Sequence, residues 1–231
     1  MSARLFAERD PGDKTSARLS PATSRHLRSL RLQAGDSLEA ILGPGELWRA
    51  TIISGDTRGT KLSLQEKLPP PPEDPVASIW LLVAIADLGR TETLVEKVTE
   101  LGATDIVFFR AARSQAREIS EPRLQRLRRI ALAACEQCRR TWPPRLIQAS
   151  SLRAALQLLP AEVPAIAFDP TATETVAPGP ESLALLIGPE GGLDADELAW
   201  LEQEKIPRYS LGPRTLRFET AAIAALAALG K

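Results

Sequence analysis

A run of four prolines divides this chain into two parts with different hydrophobic periods. The run lies within residues 68–75, "LPPPPEDP". Consecutive prolines continue neither a helix nor a β-ladder, and they favour an extended polyproline conformation. A chain of 231 residues is long enough for two domains. The sequence therefore predicts one domain at residues 1–68, a proline-rich linker at 69–75 and a second domain at 76–231.

The part before the prolines is typical of a small all-β domain. Short runs of alternating apolar and polar residues occupy 37–42, 47–53 and 61–68. They are separated by "GPGE" and "SGDTRG", whose glycine, proline and aspartate residues favour turns. A helical pattern begins at "PATSRHLRSLRL". These features predict a small β-barrel or sandwich with one inserted helix.

The part after the prolines alternates strands with helices. "IWLLVAIA" and "DIVFF" indicate buried strands, and the "TETLVEKVTELG" between them has the apolar period of a helix. Further strands are predicted at "PAIAFD", "LALLIG" and "RYSLG", and an apolar helix ends the sequence. Such alternation predicts a parallel α/β sheet that binds ligands at the carboxyl ends of its strands.

A glycine loop follows one of these strands, in "LLIGPEGGL" at 185–193. The loop matches neither the P-loop pattern nor the dinucleotide-binding pattern. Glycines at 188, 191 and 192 would allow a ligand to lie against the backbone where a Cβ would clash. The alternative is a plain turn between strand and helix. Asp194 and Glu197 have the spacing of a capping box for the helix that follows.

A second candidate site lies about twenty residues later, in "LGPRTLRFETAAIAAL". Arg217, Glu219 and Thr220 stand directly before the apolar helix. An arginine and a carboxylate two positions apart are typical of a polar site. The alternative, a helix cap formed by Glu219 or Thr220, would leave the arginine unexplained.

Charge and cysteine content limit the functional classes. Ten arginines and three acids lie between residues 110 and 145, although the net charge is zero. This block favours a nucleic-acid partner, or else it is a solvated helix face. Cys135 and Cys138 exclude a disulfide framework, and packing explains them better than a redox pair or half of a zinc site. No apolar run suggests a membrane span or a signal peptide, so we expect a cytoplasmic protein.

Several motifs together carry a family resemblance. They are "LLIGPEGGLDADEL", "LGPRTLRFETAA", "EKVTELGATDI", "AACEQCRR" with a following proline, and "HLRSLRLQAGD". In this order they resemble the uridine-N3 methyltransferases of small-subunit ribosomal RNA, in the SPOUT superfamily. The resemblance covers nearly the whole chain. It implies a PUA-like RNA-binding barrel followed by a parallel α/β methyltransferase domain with a deep trefoil knot.

The resemblance also implies a cofactor and its site. The cofactor would be S-adenosyl-L-methionine, converted to S-adenosyl-L-homocysteine, and no metal would be needed. Three loops, at 168–170, 188–192 and 211–216, would hold it, together with Ile187 before the glycine loop and a residue of the last helix. The implied cofactor-binding residues are Phe168, Asp169, Pro170, Ile187, Gly188, Pro189, Glu190, Gly191, Gly192, Leu211, Gly212, Arg214, Thr215, Leu216 and Thr220.

The implied reaction methylates N3 of a specific uridine of 16S rRNA in the small ribosomal subunit, and the implied enzyme is a homodimer. Arg217 would stabilise the developing negative charge on the uracil oxygens. Glu219 would act as the general base or orient Arg217. Phe218 replaces the small threonine usual in the family. Candidate RNA-binding residues are His26, Arg28, Arg31, Arg113, Ser114, Gln137 and Arg140.

Two other functions remain open on the sequence alone. One is methylation of a ribose 2′-hydroxyl within the same superfamily. The other is a catalytically inactive protein that binds ribosomal RNA during assembly.

Overall fold

The computed structural model describes residues 2–56, 58–72, 74, 77–114, 118–175 and 181–229. The chain forms two compact units. One unit comprises Met1–Asp74 and Cys135–Pro143, and the other comprises Pro75–Ala134 and Pro144–Lys231. Among the helices of the described ranges, none has the length and apolarity needed to cross a membrane.

The first unit is built on a closed five-stranded barrel with the strand order β1-β2-β5-β4-β3. β1 pairs in parallel with β3 and thereby closes the barrel, whereas the other pairs are antiparallel. The predicted barrel with one inserted helix is confirmed, but β1 and β2 were not predicted. The elements are β1 (Arg4–Arg9), β2 (Ser16–Leu19), α1 (Pro21–Ser29), β3 (Ser37–Gly43), β4 (Glu46–Asp56) and β5 (Gly59–Leu68).

A segment from later in the chain completes this unit. The carboxylate of Glu136 accepts a hydrogen bond from the Phe6 N–H at 3.0 Å, and burial raises its pKa. The Thr141 N–H donates to the carboxylate of Asp74 at 2.7 Å. Glu136 thus gives a partner to a backbone donor of β1, and Asp74 gives one to a backbone donor of the returning segment. Residues 135–143 therefore belong with the barrel, although the sequence places them after the prolines.

The second unit contains a six-stranded parallel sheet with the order β11-β9-β10-β6-β7-β8. This sheet confirms the predicted α/β class. β8 and α4 were not predicted. The strands are β6 (Ile79–Ala84), β7 (Asp105–Phe109), β8 (Arg145–Ala149), β9 (Ala165–Phe168), β10 (Leu183–Ile187) and β11 (Arg208–Tyr209). The helices are α2 (Leu88–Glu100), α3 (Glu121–Cys138), α4 (Leu152–Leu156), α5 (Ala195–Gln203) and α6 (Phe218–Ala228).

The central strands are buried on both faces, which explains their continuous apolar sequences. In β6, Leu81 and Val83 belong to the cluster that also contains α2 and α6 residues, whereas Leu82 and Ala84 belong to a second cluster with Leu201 of α5. The side chains of a strand alternate between faces, so each of these helices covers one face of the sheet.

β10 lies between β9 and β6, although both precede it in the chain. The strand order therefore changes direction at β6, with β7 and β8 on one side and β10, β9 and β11 on the other. Clefts at such positions lie beyond the carboxyl ends of the strands. The threading of the chain through a trefoil knot stays a prediction of the resemblance.

Local signals set the helix boundaries. The predicted capping box of α5 is confirmed, because Asp194 accepts from the Glu197 N–H at 2.8 Å and Glu197 accepts from the Asp194 N–H at 3.0 Å. In α3 the buried face includes Cys135, whereas Cys138 is only partly buried. Cys138 therefore lies at the margin of the buried face of this helix.

We predict that Gly59→Ala strongly destabilises the barrel unit. Gly59 has a φ of +123°, and a Cβ there would collide with the backbone carbonyl oxygen of Leu19. Gly12→Ala is the matched control, since Gly12 has a φ of +80° but no atom within 4 Å of an added Cβ. The control should lose about 1 kcal/mol of unfolding free energy, and Gly59→Ala about 3 kcal/mol or more. Urea denaturation measures both, and equal losses would contradict the steric explanation.

Candidate functional site

A cavity of about 500 Å³ lies at the carboxyl ends of β9, β10 and β11. This volume is in the usual range of small-molecule sites. The three loops chosen from the sequence meet there, since each follows one of these neighbouring strands. Fourteen of the fifteen expected cofactor-binding residues line it: Phe168, Asp169, Pro170, Ile187, Gly188, Pro189, Glu190, Gly191, Gly192, Leu211, Gly212, Arg214, Thr215 and Leu216.

The glycine loop after β10 presents bare backbone to the cavity. The Gly192 N–H donates to the Pro189 carbonyl at 2.8 Å, and this tight turn gives Gly192 a φ of +70°. A Cβ on Gly188 would lie 3.2 Å from Leu193 Cγ. The turn and the close packing therefore both favour glycine. The same backbone lines the cavity, which favours a ligand-binding loop over the alternative of a plain strand-to-helix turn.

The loop after β11 is built in a similar way. Gly212 has a φ of +113°, and its N–H donates to the Ser210 hydroxyl at 3.2 Å. An added Cβ there would find open space, so the backbone conformation alone favours glycine. Two of the three loops thus combine a glycine in the left-handed region with backbone exposed to the cavity.

Asp169 supplies a fixed carboxylate in the loop after β9. Burial would raise its pKa, but hydrogen bonds from Thr171 and Arg208 outweigh burial and hold the pKa below its usual value. The Thr171 N–H donates at 2.8 Å and the Arg208 guanidinium at 2.9 Å. Asp169 is therefore ionised at neutral pH.

Two arginines that sequence reasoning did not select hold the cavity loops. Arg208 pairs with Asp169, as above, and Arg90 near the start of α2 forms an ion pair with Glu190 of the glycine loop. The Asp87 side chain caps α2 and accepts from the Arg90 N–H at 3.3 Å. Each pair joins residues far apart in sequence, so no local motif reveals it.

The candidate catalytic residues lie at the start of α6, beside the cavity-lining Leu216. Arg217 is exposed and occupies the N-cap position, without a side-chain capping bond. The alternative, in which Glu219 or Thr220 caps this helix, is therefore not supported. Thr220 is exposed and is absent from the cavity lining, as are Arg217 and Glu219.

Glu219 and Phe218 have different environments. One carboxylate oxygen of Glu219, Oε2, is buried and accepts no hydrogen bond from the part of the chain that the structure describes. Buried polar atoms without a partner are uncommon and mark candidate functional groups. Phe218 is only 3% exposed and packs in the core cluster. It therefore fills the core at the wall of the cavity.

The candidate RNA-binding residues are divided between the two units. His26, Arg28 and Arg31 lie in or next to α1, and His26 and Arg31 are exposed. His26 is thus free of the buried packing that a core histidine would show. Gln137 is exposed, whereas Arg140 is 3% exposed and does not offer its side chain to solvent.

The cysteines do not resemble a redox site. Burial raises the pKa of Cys135 to about 12. Reactive cysteines have a lowered pKa that populates the thiolate. The Cys138 thiol contacts the Cys135 carbonyl oxygen at 3.8 Å. Both cysteines are therefore packing residues, which agrees with the preferred interpretation of the sequence.

Comparison with known proteins identifies the family. A family model described as the RNA methyltransferase domain matches residues 72–230, and one described as the RNA methyltransferase PUA domain matches residues 19–62. The ribosomal RNA small subunit methyltransferase E of Mycobacterium bovis is 31% identical over 211 residues, which cover 87% of this chain and 80% of the relative.

Solved structures agree with this assignment. A methyltransferase from Legionella pneumophila, solved in complex with its bound cofactor SAM, has a TM-score of 0.87 and 27% identity, with 99% of this chain and 97% of the other covered. The ribosomal RNA small subunit methyltransferase E of Neisseria gonorrhoeae shares the fold, with a TM-score of 0.84, 24% identity and the same coverage. The family and enzyme class that the motifs predicted are confirmed. This chain belongs to the ribosomal RNA small subunit methyltransferase E family of RNA methyltransferases.

Proposed function

We propose that this protein transfers a methyl group from S-adenosylmethionine to N3 of a uridine in the 16S rRNA of the small ribosomal subunit. The observation that carries the proposal is the convergence of three loops on one cavity of about 500 Å³, two of which expose glycine backbone to it. Family membership supports the same reaction class. The Legionella relative, solved with SAM bound, supports the choice of cofactor.

The residues around the cavity fit this cofactor. Backbone N–H and C=O groups at 188–192 and 211–216 can pair with the polar edge of an adenine. Ile187, Leu211 and Leu216 supply apolar surface for the rest of the ligand. The ionised carboxylate of Asp169 suits a cationic group. When bound, S-adenosylmethionine supplies a methyl group on a positively charged sulfur, which is already activated for transfer.

The protein must activate the nucleophile. Uracil N3 carries a proton at neutral pH, and its lone pair is delocalised into the two neighbouring carbonyls. Removal of that proton spreads negative charge over O2, N3 and O4. Arg217, exposed at the start of α6, is the donor that would stabilise this charge. Glu219 would accept the proton or orient Arg217, because its buried Oε2 has an acceptor position to offer.

The barrel unit is proposed to bind the RNA, with His26 and Arg31 exposed beside α1. Arginine and histidine contact phosphates and unstacked bases. We extend the proposal to a homodimer, since Ala227 and Ala228 of α6 remain exposed. A ribosomal RNA substrate would also require the enzyme to act in the cytoplasm.

We expect 3-methyluridine to form in 16S rRNA when the protein acts on its substrate. Small subunits from a strain lacking the gene are incubated with methyl-labelled S-adenosylmethionine, and nucleosides are then separated and identified by mass spectrometry. Label on a ribose 2′-oxygen would replace the proposal with 2′-O-methylation. RNA binding without any label would instead indicate an inactive assembly protein.

We predict that Arg217→Ala lowers kcat about 10²–10³-fold, as the loss of one oxyanion donor does. The Kd for S-adenosylmethionine should change less than twofold, since Arg217 does not line the cavity. Arg217→Lys should recover part of the rate because it retains the charge. Arg123→Ala, an exposed arginine on α3, is the matched control. A parallel loss of kcat and cofactor affinity would assign Arg217 a structural role.

We predict that Glu219→Gln lowers kcat about 10²–10⁴-fold near neutral pH, because an amide accepts no proton from N3. The remaining rate should rise steeply with pH, since hydroxide then replaces the carboxylate as the base. The pH profile of kcat for both proteins measures this difference. A variant with the wild-type rate and pH profile would exclude Glu219 as the base.

A further inference from the structure

The glycine loop is held from outside by the turn after β7. The Arg113 guanidinium donates through Nη1 to the carbonyl oxygens of Gly191 at 2.9 Å and Leu193 at 3.3 Å. Arg113 itself lines the cavity. An ideal Cβ at Gly191 would lie 3.6 Å from Arg113 Cβ and Cδ, so the arginine stem also packs against the loop backbone.

A second connection joins the same two segments. The Ala112 N–H donates to Glu197 Oε1 at 3.0 Å, and Oε2 of the same carboxylate accepts from the Asp194 N–H at 3.0 Å. One side chain thus links the turn to the N-terminus of α5. Ser114 keeps the turn in shape, because its hydroxyl accepts from the Ala111 N–H at 3.1 Å.

These bonds act on a loop whose described residues form few hydrogen bonds with one another. Glycines carry no side chains to fix their carbonyl groups, and their backbone is freer than that of other residues. Within the described part of the loop, the Gly192 N–H donates to the Pro189 carbonyl. The carbonyls of Gly191 and Leu193 take no part in that bond and accept from Arg113 instead. Hydrogen bonds from a charged donor are stronger than neutral ones. Arg113 therefore selects one backbone conformation at the cavity wall.

We propose that Arg113 and Glu197 are positioning residues, which hold the glycine loop in the conformation that receives the cofactor. The resemblance implied an RNA contact for Arg113, whereas its bonds to Gly191 and Leu193 assign it to the cofactor loop. The link to cofactor affinity rests on the proposed function. The role of Arg113 and Glu197 in ordering the loop rests on their hydrogen bonds alone.

The first arm of the test measures loop order in the full-length protein without ligand. Hydrogen exchange at the Gly192 amide, which donates to the Pro189 carbonyl, should be at least tenfold faster in Arg113→Ala and in Glu197→Gln than in wild type. Arg110→Ala and Glu202→Gln are the matched controls, since both residues are exposed on the same turn and the same helix. Unchanged exchange in Arg113→Ala would overturn the proposal. The melting temperature separates a local effect from general unfolding.

The second arm measures the Kd for S-adenosylmethionine by calorimetry, without RNA. Arg113→Ala should raise it at least tenfold, and Arg113→Lys less, because lysine retains a donor but not the planar fork. A normal cofactor Kd with weaker RNA binding would make Arg113 an RNA contact and overturn the proposal. If wild-type protein bound no S-adenosylmethionine, the proposed function would fail, while the exchange arm would still decide whether Arg113 orders the loop.

Discussion

The insertion of β10 between β6 and β9 is the constraint on which the site depends. β10 pairs in parallel with both neighbours, and all five of its residues are buried. Leu185 packs in one core cluster and Leu186 in the other, so a shift by one residue would disrupt close packing on both faces of the sheet. Its carboxyl end therefore delivers Gly188 to one fixed place. The loops after β9 and β11 begin at the same edge of the sheet. The order of the strands therefore determines where the cavity forms.

Electrostatics then fix the loops that strand order brings together. Three arginines, Arg90, Arg113 and Arg208, bind the glycine loop and the loop after β9. Each arginine comes from an element outside the loop that it holds. Arginine suits this task because its planar group donates to carbonyls and carboxylates in a fixed geometry. Of the three, only Arg113 belongs to the basic block at residues 110–145, in which α3 also has surface ion pairs at Arg126 and Arg128.

Much of this site could be predicted from sequence, because glycines in left-handed turns and buried strands leave local patterns. The parts that escaped prediction lack such patterns. β8 lies at the edge of the sheet with only Leu146 buried, and β1 contains the buried Arg4, which pairs with Glu39 and hides the apolar alternation. The ion pair of Arg90 with Glu190 spans one hundred positions. Pairing at that distance depends on the finished fold.

The return of residues 135–143 to the barrel has a consequence for biosynthesis. The ribosome releases the five barrel strands before it has made Glu136 and Thr141, whose bonds to Phe6 and Asp74 complete that unit. The Phe6 N–H of the nascent barrel strands must therefore stay hydrated until about seventy further residues have emerged. Order of translation and order of maturation therefore differ within this unit, whose strands emerge well before the segment that completes it.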